Sequence, residues 1–334
     1  MLTGVNEIYR QLRQWRLPIF LAFTLLLLPT ISRSVESSPF FEPYSEKHAN
    51  GWIDWQNGLI YGIGRGYLDQ NRSWPRAQGA ADVIASGNIL RLAAGINLDD
   101  RTTLESLDQG KVVIQLKALM RDRPQQSKNI EDVARPYCEV VRVASIRGND
   151  SLLAKLLGHL QASSPEWRNF PLRQEQSLLT DDNQPWLVLD ARKLERSEPA
   201  NPALFPRIIS ISGEVIHCVK NAEAAAVINR GVMQYVVSSA SRQSLRSAET
   251  SLAHILAAAD YYLSPPEAQA AAAKSQKRTP FMVMEVLATH GSARTNLVIS
   301  TEDANQLKVE DKASQILKNC RVIILVSNLI AGHK

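Results

Sequence analysis

The sequence is poor in cysteine, and its cysteines form no motif. Cys138, Cys218 and Cys320 are the three thiols among 334 residues, and no two stand in a C-x-x-C pair. This spacing argues against a zinc ribbon or a thioredoxin-like redox site. Each thiol lies in or beside an apolar, strand-like run, which favours packing as a small core residue. Pairing of two of them in an oxidising compartment stays open, with one thiol left over.

Local metal and catalytic motifs are also missing. The six histidines never stand three or four residues apart, and no G-x-S-x-G, H-E-x-x-H or P-loop pattern occurs. Gly62, Gly64 and Gly66 alternate, whereas a dinucleotide-binding fingerprint reads G-x-G-x-x-G and opens directly into a helix. The sequence therefore predicts no enzyme, no cofactor and no metal site.

Dense basic runs are absent from the body of the chain. The formal net charge is +5, but residues 1–34 hold four arginines and one glutamate, so the remainder carries only +2. Aromatic residues make up 6% of the chain. A nucleic-acid-binding domain keeps a basic face in its folded part. We therefore expect no nucleic-acid partner.

The N-terminus resembles an export signal. Arg10, Arg13 and Arg16 precede an uncharged, leucine-rich stretch at 17–31, in the order of a secretory signal peptide. As a helix this stretch spans about 22 Å, less than the ~30 Å hydrocarbon core. The sequence predicts a signal peptide over residues 1–34, cleaved between Ser34 and Val35. The alternative is an uncleaved anchor, which would be the protein's one contact with a membrane.

Two domains are predicted in an α+β fold. Polar residues at 35–50 indicate a tether, and a small β-α-β-β domain occupies 51–165. A proline-punctuated linker at 166–185 leads to a second, mixed α/β domain at 186–327. The first domain's elements are predicted as a strand at 59–68, a helix at 74–94, strands at 111–122 and 138–146, and a closing helix at 151–161. The second domain's strands are predicted at 186–190, 207–210, 215–219, 232–238, 281–288, 297–300 and 321–326, with a helix at 241–262.

The first strand and helix are unusually rich in small residues. Gly62, Gly64 and Gly66 lie on one face of the strand, because side chains alternate along it. The helix repeats small residues at helical spacing; the predicted face comprises Ala77, Ala80, Ala81, Ile84, Gly87, Leu90 and Ala94. We expect this strand and helix to approach each other closely.

Asp190 and Arg192 form the one charged pair singled out as a candidate binding site. They stand two apart at the end of an apolar strand, before a proline-rich loop. Residues two apart on a strand share a face, so they can pair. A structural ion pair that anchors the loop is the first interpretation, and a ligand contact is the alternative.

The motifs resemble those of LPP20-type bacterial envelope lipoproteins, and the N-terminal domain of flagellar assembly protein T is similar. In the first half the matching residues are Gly58-Leu59-Ile60-x-Gly62-x-Gly64-x-Gly66, Arg76-Ala77-x-x-Ala80-Ala81, Asn88-Ile89-Leu90 and Gly95. In the second half they are Leu187-Val188-x-Asp190-Ala191-Arg192, Pro202-Ala203, Pro206-Arg207-Ile208, Gly213-Glu214-Val215, Val298-Ile299-Ser300 and Asp303-Ala304. No lipobox cysteine follows the apolar stretch, so lipid anchoring does not carry over. The resemblance implies an exported periplasmic or envelope-associated protein without catalytic residues, with motility structures among its possible settings.

Two functions follow as hypotheses. The first is a non-enzymatic, exported structural or assembly factor that binds another envelope protein. The alternative is a periplasmic ligand-binding protein with its site near Asp190 and Arg192.

Overall fold

A computed structural model of the chain describes residues 41–70, 73–108, 126–163, 165–167, 170, 185–194, 198–238 and 281–327. The predicted signal peptide, the strand at 111–122 and the helix at 241–262 lie outside these residues. The described strands are β1 (Phe41–Pro43), β2 (Ser45–His48), β3 (Gly51–Asp54), β4 (Leu59–Tyr67), β5 (Gln126–Ile130), β6 (Tyr137–Ser145), β7 (Trp186–Asp190), β8 (Ile208–Ser210), β9 (Val215–His217), β10 (Gln234–Ser238), β11 (Phe281–Glu285), β12 (Ala288–His290), β13 (Asn296–Ile299) and β14 (Val322–Val326). The helices are α1 (Trp74–Ala94), α2 (Leu104–Asp108), α3 (Leu152–Ser163), α4 (Ala224–Arg230) and α5 (Thr301–Ser314).

These elements confirm the predicted α+β fold class, since helices accompany three separate sheets. The first sheet is antiparallel, with strand order β2-β3-β4-β6-β5. The second has the order β1-β10-β14-β7-β11, in which the last four strands are parallel and β1 is antiparallel. The third is a mixed sheet, β12-β13-β8-β9. No helix among the described residues is long and apolar enough to cross a membrane.

Helix α1 lies on the glycine face of β4 with backbone almost against backbone. A Cβ atom added to Gly64 would lie 1.9 Å from the carbonyl oxygen of Ala81, and one added to Gly66 would lie 1.9 Å from that of Ala77. Two residues of strand and four residues of helix both advance about 6–7 Å. The glycines therefore stay in step with every fourth residue of the helix, and Gly62 in turn meets Ala85.

The predicted buried face of α1 is wrong, because the observed buried face is rotated about the helix axis relative to it. Ala80 and Ile84 are exposed, and the buried positions are Ala77, Ala81, Ala85, Asn88, Ile89 and Ala93. Small residues surround much of this helix, so spacing alone does not identify the buried row. The glycine spacing on β4 selects the row that repeats every four residues.

The segment predicted as a tether forms two sheet strands from residue 41 onward. There β1 pairs with β10 of the parallel sheet, and β2 pairs with β3 of the antiparallel sheet. Between them, Tyr44 is 4% exposed, and its ring centroid lies 6.2 Å from that of Tyr235. Backbone pairing at a sheet edge does not depend on apolar side chains, which is why a polar composition concealed these strands.

Arg147 connects the antiparallel sheet with the second half of the chain. Its guanidinium donates hydrogen bonds to the carbonyl of Trp55 at 3.0 Å, to that of Gln56, and to that of Arg230 at 3.1 Å. Burial lowers the pKa of Arg147 to about 10, opposed by the carboxylate of Asp54. One hydrophobic core also runs through both halves, and all described residues belong to one compact unit.

Candidate binding surfaces

The structure brings Asp190 and Arg192 together as a bidentate ion pair. Arg192 Nε lies 2.8 Å from Asp190 Oδ1, and Nη2 lies 2.9 Å from Oδ2. The side chains of Asp190 and Arg192 are 3% and 12% exposed. The amide N–H of Arg192 also donates to Oδ1 at 3.3 Å, so the carboxylate closes the turn after β7.

A second ion pair lies beside the first at the carboxyl end of the parallel sheet. Glu285 is the register partner of Asp190 in β11, and its carboxylate accepts a hydrogen bond from Lys193 Nζ at 2.7 Å. The carboxyl ends of parallel strands are where ligands commonly bind in such sheets. Here the two acids and two bases compensate one another, which favours the structural interpretation of Asp190 and Arg192.

The antiparallel sheet carries an aromatic surface on the side away from α1. Because the glycines of β4 point toward α1, Tyr61, Ile63, Arg65 and Tyr67 point to the opposite side. Their cross-strand neighbours extend this surface, which we call the aromatic face; it comprises Trp52, Tyr61, Ile63, Tyr67, Tyr137, Val141 and Val143. In the part of the chain that the structure describes, the helix that packs on this sheet is α1, on the other side. Tyr67 of the aromatic face is exposed, and the other members are half-buried.

The rings of this face are ordered in two cross-strand pairs. Trp52 and Tyr61 stack with centroids 4.3 Å apart and planes inclined by 11°. Tyr67 and Tyr137 lie 5.6 Å apart, and Tyr67 is 44% exposed. Burial and the Asp54 carboxylate both raise the pKa of Tyr61, so its phenol stays neutral.

Cations outnumber anions along the aromatic face. The guanidinium of Arg135 lies 4.4 Å from the Tyr67 ring centroid, and that of Arg65 lies 5.3 Å from Tyr137. Lys47 and Lys128 pair in register with residues of the same face. The one acid among these register partners, Glu139, accepts a hydrogen bond from Arg65 at 2.8 Å. The face therefore has a positive balance.

Polar contacts hold α1 to the rear of this sheet. Asn88 Nδ2 donates to the Ile63 carbonyl at 2.7 Å, and Arg142 Nε and Nη2 bind the two Asp82 carboxylate oxygens at 2.6 and 2.7 Å. Both contacts are partly buried, and the hydrogen bonds between Arg142 and Asp82 are charge-assisted and therefore strong. The strands under the aromatic face are therefore fixed in position. This face was not predicted from the sequence. The available signal was the row of large side chains that alternates with the glycines of β4: Tyr61, Ile63, Arg65 and Tyr67.

A separate cleft of about 440 Å³ lies where the two halves of the chain meet. Its walls come from the loop after α1, the turn after α3, the segment entering β8, and the turn after β9. Residues lining it include Asp99, Trp167, Phe205, Arg207, Cys218 and Lys220. These residues are far apart in the sequence, so no local pattern predicts the cleft.

Reactive thiols and metal ligands do not gather in the described residues. The three cysteines are free; Cys138 and Cys320 are buried, and burial raises the pKa of Cys320 to about 12. In the same part of the chain, no group of three His, Cys, Asp or Glu side chains could hold a metal ion.

One comparison with known proteins concerns the second half of the chain. The family model of the second domain of Treponema pallidum Tp0624 matches residues 186–328. A search of the curated proteins gives no match to the chain. The region from β7 through β14 is thus similar to the second domain of Tp0624.

Proposed function

We propose that the protein is a non-enzymatic, exported envelope protein that binds another envelope protein through its aromatic face, as a structural or assembly factor. The observation that carries this proposal is the aromatic face itself, with its two ring pairs and its exposed Tyr67. Tyrosine, tryptophan and arginine are the residues that dominate binding energy at protein interfaces. An ordered sheet also loses little conformational freedom when a partner binds.

The charges of the face indicate the chemistry of its partner. Arg65, Arg135, Lys47 and Lys128 surround the rings, against the carboxylates of Glu139 and Asp54. A partner surface with exposed carboxylates between apolar side chains complements this pattern. The interaction should therefore weaken as salt screens these charges.

The alternative ligand site at Asp190 and Arg192 has weaker support. Both carboxylate oxygens already accept hydrogen bonds from the guanidinium. A ligand would have to break a buried, bidentate pair before it could use either group.

Partner capture tests the proposal. The full chain, its Tyr67→Ala and Arg135→Gln variants, and an Arg207→Gln control would be immobilised and exposed to detergent-solubilised envelope from the native cells. We expect both face variants to lose at least about tenfold in capture of one defined protein, as for central interface residues. The control should capture it like the unmodified chain. Equal capture by all four proteins would refute the assignment of the face.

Export is tested separately by a reporter enzyme that is active only in the periplasm, fused after Lys334. We expect activity from this fusion and none from a cytoplasmic reporter at the same position. The reverse pattern would refute an envelope role while leaving the aromatic face as a binding surface.

A further inference from the structure

The apolar part of the aromatic face is a strip three strands wide. Its side chains come from β3, β4 and β6, and the flanking strands carry mainly polar side chains on the same side, among them Lys47 in β2 and Gln126 and Lys128 in β5. Neighbouring strands lie about 4.8 Å apart, so three strands span about 10 Å. An α-helix with its side chains is about 10–12 Å in diameter. The strip therefore has the width of one helix.

The length of the strip also suits a helix. Tyr61 and Tyr67, which belong to the two ring pairs, stand at its two ends in β4. Their separation of six positions corresponds to about 20 Å of strand, which a helix of about 14 residues covers. On its other side the same sheet already carries α1, which packs on β3, β4 and β6. A second helix on the aromatic face would complete a three-layer arrangement around this sheet.

The backbone of the sheet has no free hydrogen-bonding groups to offer on this face. The groups of β4 pair with β3 along one edge and with β6 along the other. A partner segment lying on rings and aliphatic side chains must therefore satisfy its own backbone N–H and C=O groups. A helix does this internally, whereas an extended segment does not. The width of the strip disfavours a second sheet.

Cations stand on both borders of the strip and within it. Lys47 and Lys128 are exposed on the two flanking strands. The side chain of Arg65 in β4 is 55% exposed, and its Nε donates to Glu139 at 2.8 Å. A guanidinium carries five N–H donors, so further donors of Arg65 can meet a partner's carboxylate.

We propose that the element bound by the aromatic face is an amphipathic helix of about 14 residues, with carboxylates along both borders of its apolar stripe. This inference rests on the proposed function and names the structure and charge of the partner's binding element. Apolar side chains at i, i+3, i+4 and i+7 would lie on the rings and on Ile63. The bordering carboxylates would meet Lys47 and Lys128, and a carboxylate near the middle would meet Arg65.

Fluorescence anisotropy with three labelled, end-capped peptides tests the proposal on the full chain. The first peptide has about 14 residues, with leucines at i, i+3, i+4 and i+7 spacing and glutamates on both borders. The second contains the same residues in an order that spreads the leucines around the helix, and the third has lysine in place of glutamate. We expect the first to bind, and the other two to bind at least about tenfold more weakly.

Each comparison can overturn a stated part of the proposal. Equal binding of the first and second peptides would overturn the helix, and so would an absence of binding by the first. Equal binding of the first and third would overturn the acidic borders.

Two variants place the peptide on the aromatic face. Tyr67→Ala should weaken binding of the first peptide at least about tenfold. Lys47→Glu combined with Lys128→Glu, both at exposed positions, should reverse the preference in favour of the lysine peptide. Arg207→Gln is the control and should bind all three peptides like the unmodified chain. An unchanged preference in the double variant would refute the border contacts.

Failure of this inference is distinguishable from failure of the proposed function. Partner capture that depends on Tyr67 and Arg135, together with equal binding of the first and second peptides, would keep the aromatic face as a binding surface and refute the helix. Partner capture that ignores both substitutions would refute the proposed function itself.

Discussion

Adding one methyl group at Gly64 should destabilise the protein, because α1 leaves no room for it. The new Cβ would lie 1.9 Å from the Ala81 carbonyl oxygen and 2.4 Å from the Ala85 nitrogen. Both are backbone atoms within a helix, so neither can move unless α1 shifts away from the sheet. Overpacking of this kind typically costs about 1–3 kcal/mol, and Gly64→Ala should fall at or above the middle of that range.

The chain offers a control with the same chemical change. Gly79 lies within α1, is exposed, and has no atom within 4 Å of the position of an added Cβ. Gly79→Ala should therefore stabilise the protein by about 0.5–1 kcal/mol, since alanine is the better helix former. Urea unfolding followed by circular dichroism measures both free energies. Equal unfolding midpoints for Gly64→Ala and Gly79→Ala would refute the close-packing account.

A double variant separates backbone overlap from side-chain overlap. Because the nearest atom to the added methyl is the Ala81 carbonyl oxygen, removing the Ala81 side chain gives no relief. Gly64→Ala combined with Ala81→Gly should therefore be no more stable than Gly64→Ala alone. Recovery of stability in the double variant would mean that side chains, not backbones, set the distance between β4 and α1.

Three further outcomes are expected in urea unfolding. Burial of His217 lowers its pKa from 6.5 to about 4, so the unfolded chain binds a proton that the folded one rejects. The free energy of unfolding should therefore have its full value above about pH 6.5 and fall by about 3 kcal/mol toward pH 4. His217→Leu should reduce this dependence on pH, and the control His290→Gln, at an exposed position, should not. Arg147→Met should cost about 2–4 kcal/mol, because it leaves three carbonyls without their donor, and an unchanged midpoint would contradict its bridging role. Arg192→Ala should cost about 3 kcal/mol by leaving the Asp190 carboxylate buried without its guanidinium; intact stability with lost partner capture would instead make this pair part of an interface.

Local pattern predicted the elements that have strong local signals. Helix α1 runs over the predicted residues 74–94, since Pro75 lies in its first turn and Gly95 follows its end. The apolar run of β7 likewise gave the strand Trp186–Asp190. The ends of α1 were predictable because caps and turn residues act within a few positions of the chain.

Other elements escaped prediction for physical reasons. Helix α5 has a polar sequence with only Ala304 and Leu307 buried, so its apolar periodicity is weak. The signal that was available is its cap, in which Ser300 accepts a hydrogen bond from the Asp303 N–H at 2.9 Å. Strand β5 is almost fully exposed at a sheet edge, where pairing stabilises the backbone without apolar side chains.

The candidate sites differ in the same way. Asp190 ends β7 and Arg192 lies in the turn that follows, not in the strand as predicted. The sequence could still indicate their pairing, because the two residues are only two positions apart. The cleft joins Asp99, Trp167, Arg207 and Lys220 from distant segments. Their proximity depends on how the two halves pack, which no local pattern contains.

Photocrosslinking in the native cells tests the central claim, that the aromatic face binds a partner, most directly. A photoreactive phenylalanine analogue would replace Tyr67, which is 44% exposed on the aromatic face, or Val83, which is 72% exposed on α1. We expect irradiation to join one defined envelope protein to position 67 and not to position 83, and the adduct to diminish when Arg135→Gln is added. No adduct at position 67, or the same adduct from both positions, would contradict the account.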